Sequence, residues 1–203
     1  MRYWSRVATN DDAVSDTELL ERWAQGSVEA GNELIERHFA VVHRFFRHKV
    51  GSEIEDLVQQ TFLACIEARV RFQGRSSFRT FVLAIARFQL FTHYAQRKRL
   101  TRDMTLSSLR DLGTSPTAAV ARNEEERLLI EALQCIPLEA QTILELAYWE
   151  GLDATEIGRI LELPLNTVYS RLRRAKLALR EKLRDLAPGH ADVMPIERRF
   201  TIQ

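Results

Sequence analysis

Residues 154–176 read Ala154-Thr-Glu-Ile-Gly-Arg-Ile-Leu-Glu-Leu-Pro-Leu-Asn-Thr-Val-Tyr-Ser-Arg-Leu-Arg-Arg-Ala-Lys176. Ala154 to Leu161 has the spacing of a short helix, and Pro164 is suited to open a longer one. A short helix, a tight turn and a longer basic helix make a helix-turn-helix pattern. In the second helix Leu165, Val168, Leu172, Ala175, Leu179 and Leu183 recur at helical spacing and are expected to face a core. Thr167, Ser170, Arg171 and Arg174 share the other side, flanked by Tyr169, Arg173 and Lys176, with Asn166 at the helix start. A recognition helix presents such N-terminal polar side chains to base edges in the major groove. Arg takes guanine through O6 and N7, while Ser, Thr and Asn suit phosphates or mixed edges. Any amphipathic surface helix shares part of this pattern. The later Arg180, Lys182 and Arg184 are expected to be solvated or near phosphates.

Charge along the rest of the chain points the same way. The net charge of +1 conceals an alternation. Residues 11–68 carry twelve acids and five bases, and residues 69–110 carry ten bases and one acid. Residues 122–162 carry ten acids and three bases, and residues 165–186 carry seven bases and two acids. Two separate basic blocks imply two contacts with a polyanion. With 203 residues, 45% of them hydrophobic, the chain suits one large or two small domains. No apolar run approaches membrane-spanning length, and the N-terminal residues have no apolar core long enough for a signal peptide. Cys65 and Cys135 lie far apart in apolar helical patterns, which fits buried free thiols in a reducing cytoplasm.

Helical signals dominate, so the expected fold is all-α, with two small helical domains joined by a linker. Ser15 to Glu18 and Ser52 to Glu55 read as capping boxes. Helices are expected over about 29–49, from Ser52 through about 68, and over 78–99, with Ile35, Phe39, Val42, Phe46 and Val50 on the core face of the first. Residues 101–122 have weak periodicity and turn formers and read as the linker. A second helical block runs over 123–186, split at Pro137 and Gly151. Residues 1–14 read as an N-terminal extension, 15–100 as the first domain and 187–203 as a tail.

In the first domain, Asp56, Gln60, Leu63 and Glu67 lie along one side of a helix with Gln59 beside them, a ridge that suits docking on another protein's helices or a solvated face. Downstream, Arg69, Arg71, Arg75, Arg79, Arg87, Arg97, Lys98 and Arg99 interleave with Phe72, Phe78, Phe81, Phe88, Phe91 and Tyr94. Single-stranded DNA is held by cations along its backbone and aromatic platforms under its bases. The stripe Phe78, Phe81 and Phe88 is expected in the core.

These stretches resemble the sigma-70 family of bacterial transcription factors. Ala140-Gln-Thr-Ile-Leu-Glu-Leu-Ala-Tyr-Trp-Glu-Gly-Leu-Asp-Ala-Thr-Glu-Ile-Gly-Arg-Ile-Leu161, with Asn166 to Lys176, is similar to its promoter −35-binding domain. Glu55-Asp-Leu-Val-Gln-Gln-Thr-Phe-Leu63 resembles the segment that binds the clamp helices of the polymerase β′ subunit. Phe72-Gln-Gly-Arg-Ser-Ser-Phe-Arg-Thr-Phe81 and Ile85-Ala-Arg87 resemble the segment that opens the −10 element. The short linker matches the two-domain layout of the extracytoplasmic-function (ECF) group. The resemblance implies an alternative sigma factor that docks on core RNA polymerase (β′ and β subunits), contacts promoter DNA and is held by an anti-sigma factor. It implies polymerase contacts at Asp56, Gln59, Gln60, Phe62 and Leu63. It implies −10 contacts at Arg75, Arg79, Arg87, Phe88, Phe91, Tyr94, Arg97, Lys98 and Arg99. It implies −35 contacts at Asn166, Thr167, Tyr169, Ser170, Arg171, Arg173 and Arg174.

The sequence departs from the family at Phe81-Val82, where Trp-Leu is usual, and at Phe88, where Asn is usual. His93 or a neighbour stands where Asp is frequent. Gln141 replaces a frequent Arg and Tyr169 a frequent Lys, so an altered polar face on the recognition helix and a shifted −35 preference are expected. Phe cannot hydrogen-bond a base edge, so altered −10 recognition is expected.

There is no phosphate-cradling Gly loop, no HExxH and no paired Cys set, so no enzyme activity, cofactor or metal is expected. His38, His43 and His48 do not share a helix face as zinc ligands would. Two competing readings are a helix-turn-helix regulator that acts without polymerase, and a degenerate sigma that binds polymerase or anti-sigma without opening promoters.

Overall fold

The computed structural model describes residues 14–69, 72, 76–97, 108–109 and 124–187. Among them every regular element is an α-helix, as the all-α expectation requires. The first group is α1 (Asp16–Ala24), α2 (Val28–Arg47), α3 (Ile54–Ala68) and α4 (Phe78–Arg97). The second is α5 (Glu124–Gln134), α6 (Leu138–Tyr148), α7 (Ala154–Leu161) and α8 (Leu165–Leu186).

Local chemistry sets the starts. The Ser15 hydroxyl accepts from the Glu18 amide at 3.2 Å and opens α1, and Ser27 does the same for Ala30 at the start of α2. Gly26, at φ +103°, makes the turn between them. Gly31 is fixed by packing, since a Cβ there would lie 2.4 Å from Nε1 of Trp23. The expected capping box at Ser52 is not formed. Ser52 sits in the preceding turn, Glu53 is the N-cap, and no side chain caps α3.

α2 packs against α1, α3 and α4, and α3 packs on α4. Leu34, Val42, Phe46, Leu57, Phe78, Leu83 and Leu90 fill the space between them. In the second group, α5, α6 and α7 all lean on α8 through Leu129, Leu133, Ile143, Ile157, Val168, Ala175 and Leu179. Asp153 caps α7 with a complete capping box, closed by Glu156 bonding back to the Asp153 amide. The turn from α7 to α8 is tight. Glu162 adopts the left-handed conformation at φ 55°, and the Leu163 amide donates to the Gly158 carbonyl at 2.9 Å.

Several expected core positions lie outside. Phe39, Phe88 and Leu165 are exposed. Phe39 is stacked on Phe62 of α3 yet stays half exposed, Phe88 is exposed on α4, and Leu165 stands in the first turn of α8. Within the expected linker, Ser108 and Leu109 are buried and Ser108 forms an isolated bridge with Pro137, so this piece anchors on the second group. The remainder of 101–122, the N-terminal residues 1–13 and the tail beyond Ala187 lie outside the described residues.

The two groups pack against each other, chiefly through α4 and α7. No helix among the described residues is long and apolar enough to cross a membrane.

Candidate nucleic-acid and polymerase interfaces

Three surfaces carry the sequence-derived candidates. The first is the outer side of α3. Asp56, Gln59, Gln60 and Leu63 are exposed, Leu63 at 52%. Phe62 is buried, with its ring stacked on Phe39 at 6.3 Å between centroids and 8° between planes. Phe39 itself is half exposed and stacks on His43. The ridge therefore presents polar amides and an acid beside the exposed Leu63, while Phe39 of α2 is exposed where it stacks on Phe62. Phe39 was missed from sequence because its spacing in α2 equals that of core residues. Only the neighbouring helix decides which side of a stripe is covered.

The second surface is α4. Phe88 is exposed at 65% and can offer a ring to a base, and Arg87 lies over the Phe91 ring at 4.8 Å. Tyr94 is in the core instead: it is 2% exposed and its hydroxyl donates to the Lys49 carbonyl. That bond fixes the end of α2 to α4 and takes Tyr94 off the surface. Phe72 and Phe81 pack together at 4.7 Å. Arg75, Lys98 and Arg99 lie outside the described residues, as does the side chain of Arg97.

The third surface is the start of α8. Asn166, Tyr169, Ser170, Arg173 and Arg174 are exposed, while Thr167 and Arg171 are half-buried. The Ser170 hydroxyl donates to the Thr167 carbonyl at 3.0 Å, so it is pinned locally until a partner displaces it. The helix opens at Pro164 with no side-chain cap, and the Thr167 amide donates to the Pro164 carbonyl at 2.8 Å. Gln141 does not share this face. It is fully buried on α6 and donates to Glu145 at 2.7 Å, so its departure from the family pattern is structural.

A set of ion pairs that sequence reading did not foresee links the second and third surfaces. Glu150 accepts from Arg44 at 2.6 and 2.8 Å and from Arg79 at 2.5 Å. Glu139 meets Arg87 at 3.5 Å and also pairs with Arg171. Lys49 pairs with Glu145, both buried. Burial pushes the Glu150 carboxyl upward, but Arg44 and Arg79 together outweigh it and hold its pKa below the ordinary value. Burial raises that of Glu145 despite its bonds from Lys49 and Gln141. His48 packs tilted against Trp149, 5.3 Å between ring centroids, and, through burial first and then its cationic neighbours, has its pKa lowered to about 4.

Comparison with known proteins gives a consistent result. The family described as Sigma-70 region 2 matches residues 34–100, and Sigma-70, region 4 matches residues 126–179, so the two cover more than half of the chain. The chain is 29% identical over 188 residues to the ECF RNA polymerase sigma-E factor of Haemophilus influenzae, covering 86% of this chain and 98% of that one. It is 28% identical to the RNA polymerase sigma-H factor of Pseudomonas aeruginosa, covering 84% and 95%. Among solved structures, CnrH in complex with the cytosolic domain of CnrY aligns with a TM-score of 0.61 at 22% identity, over 85% of this chain and 98% of that one. RpoE in complex with the anti-sigma factor NepR from Bartonella quintana aligns at 0.60 and 17%, over 77% and 98%. At these identities the structures show a shared fold.

Proposed function

We propose that this chain, which belongs to the sigma-70 family of RNA polymerase sigma factors and to its ECF group, confers promoter specificity on core polymerase by two DNA contacts. The observation that carries the reading is the order of parts. A region 2 match spans α2 to α4, a region 4 match spans most of α5 to α8, and each carries an exposed face of the required chemistry.

The first unit, residues 15–100, docks on the β′ clamp helices through Asp56, Gln59, Gln60 and Leu63, with Phe39 of α2 stacked on Phe62 of α3. Polar groups set the register of such a contact, and the exposed Leu and Phe supply buried area. The same unit holds the opened −10 strand with Arg75, Arg79, Arg87, Arg97, Lys98 and Arg99 on phosphates, and with Phe88 and Phe91 as stacking surfaces. Phe88 offers a face and no hydrogen bond, so readout there rests on shape and stacking.

The second unit, residues 123–186, enters the −35 major groove with the start of α8. In this reading Arg171 and Arg174 contact base edges, Asn166, Thr167, Ser170 and Arg173 contact phosphates or mixed edges, and Tyr169 meets the groove wall. Residues 101–122 connect the two units. The chain supplies binding and no bond chemistry; the active site belongs to polymerase. It acts where polymerase and DNA are, in the cytoplasm. The relatives solved with partners support an anti-sigma factor as a further partner, seated on one of these exposed faces.

The test is a double change on α3. Asp56→Ala with Gln59→Ala should weaken binding of the full chain to core polymerase at least tenfold, because each lost hydrogen bond to the partner costs about 1 kcal/mol or more. Binding of the same variant to −35 duplex DNA should be unchanged. Equal polymerase affinity for wild type and variant would remove α3 from the contact. A chain that binds duplex DNA and never polymerase would leave a helix-turn-helix regulator.

A further inference from the structure

One side of α8 carries a groove that the described residues leave open. Pro137, Ala140 and Ile143 form the α6 wall, Leu161 stands at the end of α7, and Ala175 and Ala178 form the α8 wall. The volume is about 320 Å³, within the range of cavities that take ligands. The lining is mostly apolar, and the polar rim is Arg171 and Arg174 with Glu139. Apolar surface of this kind gains by being covered.

The segment after α8 has the chemistry and the reach to cover it. Residues 188–203 lie outside the described residues and read Pro188-Gly-His-Ala-Asp-Val-Met-Pro-Ile-Glu-Arg-Arg-Phe-Thr-Ile-Gln203. Pro188-Gly189 is a turn signal directly after the helix end. Val193, Met194 and Ile196 are aliphatic, and Arg198-Arg199 follows them. Along α8, Ala178 lies about 14 Å back from Ala187, Arg171 about 24 Å and Asn166 about 32 Å. An extended chain covers about 3.3 Å per residue. Running back from Gly189, Val193 comes level with Ala178 at about 13 Å and Ile196 level with Arg171 at about 23 Å. Arg198 and Arg199 then stand about 30–33 Å back, level with Asn166 in the first turn of the recognition helix. The region 4 match ends at residue 179, short of this segment.

We propose that residues 190–199 are a DNA-binding arm, which runs back along α8, seats Val193, Met194 and Ile196 in the groove, and sets Arg198 and Arg199 against phosphates of the −35 duplex. The proposal rests on the reading of the second unit as the −35 contact, and it adds phosphate contacts from outside the helix-turn-helix. A guanidinium suits a phosphate because it donates two parallel hydrogen bonds. Phosphate contacts fix the register of a helix in the groove and carry no sequence information themselves.

The linker is the other nearby segment. Ser108 bridges to Pro137 at the groove's edge, so residues 110–122 leave from the same side. They offer only Leu112 and Val120 as large aliphatic side chains, and they must run on to α5. The tail brings three such side chains at the right reach and ends the run with two cations.

The test uses holoenzyme made with core polymerase from the same organism. The full chain first selects bound duplexes from a library of the organism's upstream regions. One selected duplex, labelled with fluorescein, is then titrated at several salt concentrations. The full chain is compared with residues 1–187, with Arg198→Gln plus Arg199→Gln, and with Val193→Ser plus Met194→Ser, which removes the aliphatic anchors at constant charge. Ala178→Trp, which fills the groove outside the proposed DNA contacts, is made in the full chain and in 1–187. Affinity for core polymerase is measured for each form.

Loss of two phosphate contacts lowers the slope of log affinity against log salt by about 1.8. The ratio of full-chain to 1–187 affinity should therefore shrink about twelvefold between roughly 50 and 200 mM salt. Both substituted tails should behave as 1–187 does. Ala178→Trp should match them in the full chain and change nothing further in 1–187. An unchanged slope in 1–187 would overturn the arm. Loss with Arg198→Gln plus Arg199→Gln but not with Val193→Ser plus Met194→Ser would overturn the seat in the groove. So would an equal loss from Ala178→Trp in both backgrounds. Tighter DNA binding by 1–187 would also overturn the arm and make Asp192 and Glu197 competitors for Arg171 and Arg174. A fall in polymerase affinity alone would overturn it and assign the tail to polymerase. If the full chain selects no upstream region, the −35 reading fails and the arm with it. Far-ultraviolet circular dichroism guards against misfolding, and if Ala178→Trp unfolds, Val193→Ser plus Met194→Ser decides the seat.

Discussion

His48 shows how far one side chain's position changes its chemistry. It follows α2 directly, is only 8% exposed and packs near Trp149 of the other helical group. Burial and the neighbouring Lys49 and Arg47 hold it neutral, with a pKa near 4 against an ordinary 6.5. In the unfolded chain it takes a proton below about 6.5, and in the fold it does not until about 4. The unfolded state therefore binds more protons across that window. The stability tied to neutral His48 is present above it and is lost as pH falls from 6.5 toward 4. The full effect is of the order of 3 kcal/mol. His48→Gln should flatten the acid limb of a stability-against-pH curve between pH 6.5 and 4. An unchanged limb would show that His48 is not held neutral.

The same scale explains several misplaced residues. Tyr94 and Phe88 are both aromatics on α4, and a sequence gives no reason to separate them. A hydroxyl partner on the Lys49 carbonyl draws Tyr94 inward, while no helix covers Phe88. Gln141 looked like a change in a DNA-facing position and is instead a buried partner of Glu145.

At the level of the element, the strongest local signals were caps and turns, and they were legible only where geometry was local. Ser15 caps α1 by accepting from the Glu18 amide, the first half of the expected box, while the Glu18 carboxylate accepts from Arg22. Ser52 has the same spacing pattern and caps nothing, because the turn after Gly51 starts the helix one residue late. The capping box at Asp153 and Glu156 carries more weight, because α7 is only eight residues long and sets the recognition helix in place. Asp153→Ala removes a hydrogen-bond acceptor for two backbone amides, Thr155 at 2.7 Å and Glu156 at 2.8 Å. It should cost about 1 kcal/mol in the thermal unfolding of the second unit. DNA affinity should fall only through that loss, and recover at low temperature. A cost near zero would mean that packing of Ile157, Ile160 and Leu161 alone holds α7.

Helical periodicity also explains why element assignment succeeded while faces did not. A stripe at 3.6-residue spacing announces a helix whatever covers it. Leu165 continues such a stripe but is exposed, and Phe39, although stacked on Phe62, stays half exposed.

For the whole molecule, the helical class, the helix-turn-helix and the order of the parts were legible, because they depend on patterns within about twenty residues. The contact between the two groups was not. Arg44 and Glu150 are 106 residues apart, and Lys49 and Glu145 are 96 apart. Nothing in composition pairs them, although the alternating charge blocks mark the acidic stretch that faces the basic one. That alternation was read as two basic surfaces for DNA. The structure adds that the intervening acids reach those same surfaces.

The most direct measurement is transcription in vitro with core polymerase from the same organism, on its upstream regions, with and without this protein. Discrete new start sites, sharing one −10 and one −35 motif, are expected. Bound polymerase without new starts would contradict promoter opening. Neither binding nor new starts would contradict the assignment of this chain as a promoter-specificity subunit.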